Sequence, residues 1–303
     1  MGTKLRLAVG IDAGSRRTRC VVCHVEDGYL RFLGAGEVDS RGWVKSRVSD
    51  PNAVSESVRL AAREAERNSQ VSVDAAVVGL GGTAIAGESQ RGLYELGRPR
   101  AIDQPDIAYA VERSCRFRLR DDRVLLQVFP QDFNVDGRAG LRNPRGLTCS
   151  RLEANVHLVT TSANDHQWVV NAVHQAHLGV EETVYEAMAA AYAAILPEER
   201  SQGVALVDLG AQSTNVVIYD GDAMVLSTGL AISADHLTRD VAYRFCVSYE
   251  DAERLKEEYG CAILGLTSDN TLIEIPSHED RPAREAPRRE LNDTLEARAE
   301  QLF

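Results

Sequence analysis

The sequence predicts a mixed α/β fold of two lobes, the first carrying a small inserted α+β subdomain, on three observations. At 303 residues the chain is long enough for two cores, since a domain usually takes roughly 100 to 200 residues. A strand, polar turn, strand unit near the start returns after residue 200, each copy with an Asp at the tip and a Gly two positions on. Between the copies, residues 85–161 read as strands around a helix, a unit separate from either hairpin.

The first unit is the apolar run Leu5-Arg6-Leu7-Ala8-Val9-Gly10-Ile11, then Asp12-Ala13-Gly14-Ser15-Arg16-Arg17, then a second apolar run through Val25. Asp27-Gly28 signals a tight turn, so residues 29–38 complete an antiparallel meander. Asp50-Pro51 reads as N-cap and first helical residue ahead of an apolar stripe through Val54, Val58, Ala61 and Ala65. Residues 73–80 read as a buried strand, and Gly79-Leu80-Gly81-Gly82-Thr83 as a break. A short strand at 92–96, a helix over 103–117 and a strand at 124–128 follow, and residues 151–161 alternate apolar and polar. Two helical stretches are expected from Asn164, the second being 184–196, alanine-rich with Glu186 near its start. Pro197 and Glu198-Glu199-Arg200 then separate the lobes.

The second copy runs Val204-Ala205-Leu206-Val207, Asp208-Leu209-Gly210-Ala211-Gln212-Ser213-Thr214, then a strand over 215–219, with Asp220-Gly221 closing the next turn and a strand restarting at 224–227. Asp12 and Asp208 hold the same place, as do Gly14 and Gly210. Residues 249–259 read as a helix with Glu253 and Lys256 on one face, by spacing alone a solvated surface pair. The charged stretch 277–290, with two prolines, reads as a mobile loop or a subdomain edge, and 291–303 as a last helix.

Composition narrows the function. With 44% hydrophobic and 26% charged residues the chain is an ordinary globular one, and no apolar run approaches the roughly 20 residues that span a bilayer. The start has no apolar signal segment, so secretion is not expected. Six cysteines without framework spacing fit free thiols in a reducing cytoplasm. Cys20 and Cys23 fall three apart on a strand and so on opposite faces, which argues packing. His174 and His177 have helical spacing but no further ligand cluster beside them, which leaves metal binding there unsupported. A net charge of −11 opposes nucleic acid as a partner.

An Asp at a strand tip followed by Gly and hydroxyl residues suits phosphate. Gly lets the backbone turn with its amides toward phosphate oxygens, and hydroxyls such as Ser15, Ser213 and Thr214 add donors. The carboxylates of Asp12 and Asp208 suit a hydrated Mg²⁺, which keeps several waters. One such turn is commonplace; two copies facing each other would clasp a nucleotide from both sides.

These residues resemble the bacterial cell-division FtsA family of the actin and Hsp70-like superfamily, over essentially the whole chain from Leu7 to Phe303. The most specific matches lie in the inserted segment, Val128-Phe129-Pro130-Gln131-Asp132-Phe133-Asn134-Val135-Asp136-Gly137 and Arg151-Leu152-Glu153-Ala154-Asn155-Val156-His157. Ala234-Asp235-His236-Leu237-Thr238-Arg239-Asp240 and residues 250–260 match as well. The resemblance implies an actin-like two-lobed fold: residues 5–84 and 162–198 as the first lobe, 85–161 as its SHS2-like insert, 199–245 and 288–303 as an incomplete second lobe, and 246–287 as that lobe's small subdomain.

It also implies ATP and Mg as cofactors. Asp12, Gly14, Ser15, Arg16 and Arg19 fall in the first phosphate motif, and Asp208, Gly210, Ala211, Gln212, Ser213 and Thr214 in the second. Glu186 falls in the connecting helix as the candidate catalytic residue of what is at most a weak ATPase, and Glu253 and Lys256 become candidate nucleoside contacts. The implied role is a cytoplasmic adaptor at the inner face of the membrane at the division site, with the tubulin-like ring protein FtsZ, other division proteins and self-association as its partners.

Three departures qualify it. Where the family usually carries a Gly-rich run, a Thr pair and an Asp, this chain has Gly210-Ala211-Gln212-Ser213-Thr214-Asn215, so a carboxylate is missing and Gln212 adds bulk. The chain ends before the family's glycine-rich adenosine segment, and no membrane-binding amphipathic helix follows Phe303. The alternatives are a nucleotide-free interaction module of the same family, a pilus-assembly relative, and a sugar-kinase-type phosphotransferase.

Overall fold

The computed structural model describes residues 6–116, 119–268, 271–278 and 281–301. They divide into two compact units, Met1–Ala231 and Ile232–Phe303, a division that falls inside the segment expected to form the second lobe.

In the first unit the order is β1 (Leu7–Ala13), β2 (Arg17–Glu26), β3 (Tyr29–Asp39), β4 (Trp43–Val44), β5 (Arg47–Val48), α1 (Pro51–Ser69), β6 (Ala75–Leu80), β7 (Ala86–Ala101), α2 (Gln104–Ser114), β8 (Arg123–Val135), β9 (Arg138–Leu141), β10 (Thr148–Ser162), α3 (Ala163–Gln175), β11 (Gly179–Tyr185), α4 (Glu186–Ala194), α5 (Pro197–Gln202), β12 (Val204–Leu209), β13 (Thr214–Asp220) and β14 (Ala223–Leu230). A five-stranded sheet runs β11-β6-β1-β2-β3. β1, β2 and β3 form the expected antiparallel meander, while β6 runs parallel to both β1 and β11.

Helix α1 covers this sheet because its start is capped and its stripe is apolar. The Asp50 carboxylate accepts the backbone N–H groups of Asn52 and Ala53, and Pro51 occupies the first helical turn. Val54, Val58, Ala61, Ala62 and Ala65 are buried against Val9, Ile11, Cys20 and Val22. The helix lies close on β3, where a Cβ on Gly36 would come within 2.1 Å of the Ala61 carbonyl oxygen. Only glycine permits that approach.

The second sheet has seven strands in the order β12-β13-β14-β7-β10-β8-β9. The inserted segment supplies β7 to β10, the second hairpin supplies β12 to β14, and the two are joined by pairing of Thr228 in β14 with Ala86 in β7. Helix α2 lies on the insert, where a Cβ on Gly92 would come within 2.1 Å of the Ala110 carbonyl oxygen. Its start is a capping box in which Asp103 and Asp106 satisfy each other's backbone N–H groups. Arg100 donates two hydrogen bonds to buried Asp106, at 2.6 and 2.5 Å.

The second unit holds α6 (Ala234–Phe245), α7 (Tyr249–Tyr259), β15 (Leu272–Ile275), β16 (Arg284–Pro287) and α8 (Arg288–Ala299). Val241, Phe245, Leu255, Ile273, Ile275 and Leu291 form its core. Arg298 of α8 makes a two-pronged contact with Asp240 of α6 at 2.6 and 3.0 Å, which fixes the two helices together.

Several expectations need correction. The stretch expected as helix over 184–196 begins with the end of a strand: β11 pairs with β6, and α4 starts only at Glu186. Two adjacent exposed glutamates, Glu181 and Glu182, mask this edge strand in the sequence. The short strands expected at 92–96 and 124–128 run for 16 and 13 residues. Of the expected loop 277–290, residues 284–287 form β16 and residues 288–290 begin α8, while 279–280 lie outside the described residues. Leu5, Phe117 and Phe303, ends of expected elements, also lie outside the described residues. His174 and His177 share no helical face, since α3 stops at Gln175 and His177 adopts φ 65°.

Candidate functional site

The two hairpins superimpose in register as well as in sequence. In the first, Asp12 pairs with Arg19 and Ala13 with Thr18; in the second, Asp208 pairs with Asn215 and Leu209 with Thr214. Each Asp-x-Gly therefore opens a turn of the same length. A Cβ on Gly14 would lie 2.8 Å from the Arg17 carbonyl oxygen, and one on Gly210 lies 2.8 Å from that of Ser213. Both turns are closed by a buried threonine, Thr18 or Thr214. The pairing partners differ in kind, because Arg19 sets a guanidinium 3.6 Å from Asp12, whereas Asp208 faces the neutral amide of Asn215.

Glu186, the first residue of α4, projects from the end of β11 toward these turns. Its carboxylate packs on Gly81, where an added Cβ would meet Glu186 Oε1 at 1.7 Å. Asn215 fixes it there: Asn215 Nδ2 donates to Glu186 Oε1 at 2.6 Å, and the Gly82 N–H donates to Asn215 Oδ1 at 3.1 Å. Asn215 also hydrogen-bonds Asp208. Buried Asn215 thus holds two carboxylates and one backbone amide.

The electrostatics follow from this crowding. Burial, and then the nearby charges of Asp12 and Asp208, push the Glu186 carboxyl up to about 8. Burial also raises Asp12, where Arg19 opposes the shift and Asp208 adds to it. Asp208 is raised by burial against the opposing hydrogen bond from Asn215. Three carboxylates repelling one another in a partly dry site invite a proton or a cation.

Mg²⁺ fits that donor set. Among the described residues no group of three His, Cys, Asp or Glu side chains is close enough to ligate one ion directly, so the fit is to a hydrated ion touched by Asp12 and Asp208 through water. For a nucleotide, small residues line the space between the turns: Gly14, Ser15, Gly81, Gly82 and Ser213 border a cavity of about 60 Å³.

One wall of this cavity was not foreseen. Lys45 and Ser46 form the tip of the β4–β5 hairpin, both at positive φ. The Ser46 N–H donates to Gln212 Oε1 and the Ser46 hydroxyl donates to the Gln212 carbonyl oxygen, each at 2.9 Å. The bulk of Gln212 is thus spent on a contact with Ser46. Trp43 and Arg47 from the same hairpin line the cavity, and Arg47 pairs with Asp165 at 3.0 Å.

Of the expected site residues, Asp12, Gly14, Ser15, Arg19, Glu186, Asp208, Gly210, Ala211, Gln212, Ser213 and Thr214 gather around the two turns. Arg16 is exposed at the first turn, where its carbonyl oxygen accepts the Ser40 N–H. Glu253 and Lys256 belong to the second unit. They are not a solvated pair: with side chains 13% and 17% exposed, Lys256 Nζ donates to Glu253 Oε2 at 2.7 Å and to Thr238 Oγ1 at 2.8 Å. The missed participants are Trp43, Ser46, Gly81 and Gly82; the Gly81-Gly82 pair closing a buried strand was the available signal of a close approach.

Comparison with known proteins follows the same lines. The family model described as cell division protein FtsA matches residues 205–301, and that of the SHS2 domain inserted in FtsA matches residues 82–160. The cell division protein FtsA of Pseudomonas aeruginosa is 31% identical over 98% of this chain and 72% of its own length. That of Escherichia coli K12 is 29% identical over 99% of this chain and 72% of its own. Among solved structures, a PilM-PilN type IV pilus biogenesis complex aligns with TM-score 0.59 and 18% identity over 83% of this chain and 69% of that one. MreB 5 of Spiroplasma citri bound to AMPPNP aligns with TM-score 0.54 and 12% identity over 99% and 77%. These likenesses give the fold as actin-like, and by the identity and span of its relatives the chain belongs to the FtsA family of cell-division proteins.

Proposed function

We propose that the chain is an ATP-binding division adaptor: a nucleotide sits between the Asp12 and Asp208 turns, and protein contacts link the FtsZ ring to the cytoplasmic face of the membrane at the division site. The observation that carries this reading is the shared register of the two turns, with Glu186 held by Asn215 beside both aspartates. Asp12 and Asp208 hold hydrated Mg²⁺, which when bound neutralises phosphate charge; Gly14, Ser15, Gly210 and Ser213 bring small polar surface to the phosphates. Glu186, tied to Asn215, orients water. With Asn215 where a carboxylate would serve, hydrolysis is weak.

Glu253 and Lys256 are carried along as nucleoside contacts on the family resemblance, as are the lobe boundaries given above and self-association. None of the described helices is long and apolar enough to cross a membrane. The test is calorimetric titration with ATP and Mg²⁺, with Asp12→Ala and Asp208→Ala as controls, alongside co-sedimentation with FtsZ. Saturable binding lost in both variants supports the reading; no nucleotide and no FtsZ binding by folded protein sinks it.

A second reading, a nucleotide-free interaction module, is favoured by one observation: Gln212 and Asn215 are already engaged, by Ser46 on one side and by Glu186 and Gly82 on the other. FtsZ binding without ATP binding would establish it.

A further inference from the structure

We infer that the β4–β5 hairpin is a latch on the cleft, closed by the two Ser46–Gln212 hydrogen bonds and released when nucleotide enters. The inference rests on the nucleotide reading for its ligand but on geometry for the latch. Ser46 and Gln212 are far apart in the chain, yet backbone and side chain of each take part, so the contact is two-pronged and has a defined closed position. It bridges the tip of one hairpin to the second Asp turn, at a cavity that both Ser46 and Ser213 line.

The hairpin is small and narrowly based. It has two residues in each strand and a two-residue tip at positive φ, and its base is clasped where the N–H groups of Ser49 and Asp50 both donate to the Gly42 carbonyl oxygen. A Cβ on Gly42, itself at φ +84°, would lie 2.4 Å from the Asp50 carbonyl oxygen, so the pivot is a glycine of necessity. Trp43 on the same hairpin lines the cavity, and its buried indole N–H has no acceptor among the described residues. Opening costs the two Ser46 bonds and strains the Arg47–Asp165 pair and the packing of Trp43 and Val48 on the core, and an entering phosphate offers acceptors to the Ser46 N–H and hydroxyl and to the Trp43 N–H in return. Ligand thus replaces Gln212 as the partner of Ser46.

The experiment compares the full chain with its Gln212→Ala variant by hydrogen exchange at the Ser46 amide and by stopped-flow binding of a fluorescent ATP analogue with Mg²⁺. Ser46→Ala serves as a second variant that removes only the hydroxyl bond. The latch predicts exchange at Ser46 about tenfold faster in Gln212→Ala, the size expected for one lost hydrogen bond, with amides of β1 and β6 unchanged. It also predicts faster analogue association in both variants. Unchanged exchange at Ser46, or equal association rates in proteins that all bind the analogue, would overturn it. Faster exchange with no analogue bound by any of the proteins would leave the Ser46–Gln212 closure standing but overturn its release by nucleotide together with the nucleotide reading.

Discussion

The Asn215 side-chain amide donates to Glu186 Oε1 at 2.6 Å while its carbonyl takes the Gly82 N–H at 3.1 Å. A carboxylate at this position would keep the second bond and lose the first, setting a negative charge against Glu186 and Asp208. Asn215→Asp is therefore expected to destabilise the first unit by about 1–3 kcal/mol above pH 8, where Glu186 is ionised, the cost of breaking a buried hydrogen bond to a charged group. Millimolar Mg²⁺ should recover part of that loss. Urea unfolding with and without Mg²⁺ measures both; an unchanged midpoint for Asn215→Asp would contradict the assignment.

Gly81 carries the Glu186 carboxylate on its α-carbon, where a methyl group would meet Oε1 at 1.7 Å. Gly81→Ala should cost about 1–3 kcal/mol by overpacking. In the Glu186→Ala background the same change should cost much less, so a double-mutant cycle should return a coupling on the order of 1 kcal/mol or more. Additive effects would mean that Glu186 does not sit there.

The Glu186 carboxyl titrates at about 8 in the folded chain, against about 4.3 unfolded. Between those values the folded state binds the extra proton, so stability is greatest below the lower one, falls as pH rises toward 8, and levels off above it. The slope is at most about 1.4 kcal/mol per pH unit for one such group. Glu186→Gln should flatten the stability profile between pH 5 and pH 8, read by thermal denaturation across that range.

Asp106 behaves in the opposite sense. Two hydrogen bonds from Arg100 lead the causes that lower its carboxyl to about 2. A depressed acid stabilises above its unfolded value and loses that contribution as pH falls through the folded one. Asp106→Asn should therefore be less stable than the parent at neutral pH by about 1–3 kcal/mol, and the two should converge as pH approaches 2. A constant gap across pH would overturn the ion-pair account.

Much of this was legible in the amino-acid order. The two Asp-x-Gly turns, the Asp50 cap, the meander ending at Asp39 and helix α7 stand where local pattern put them, because each is fixed by residues within a few positions of one another. Strand β11 was not, since Glu181 and Glu182 break its apolar signature at a sheet edge. Nor could sequence show that Asn215, noted only as a missing carboxylate, is the anchor of Glu186, or that Gln212 bonds Ser46: both contacts join residues brought together by the whole sheet arrangement. Lys256 and Glu253 read as solvent-facing because spacing reports which side chains share a face, not what covers that face; here Thr238 of α6 does.

The seven-stranded sheet has β12, the strand leading into the Asp208 turn, at one edge and β9 of the insert at the other. Between those edges the insert and the second hairpin share one strand-to-strand bridge, Thr228 with Ala86. The seam is held as much by side chains as by the ladder: Gln131 Nε2 donates to the Met224 carbonyl oxygen at 3.0 Å, and His157 Nε2 and the Ser227 hydroxyl share a hydrogen bond at 2.8 Å. A single broken side-chain contact there loosens the join between two otherwise continuous ladders.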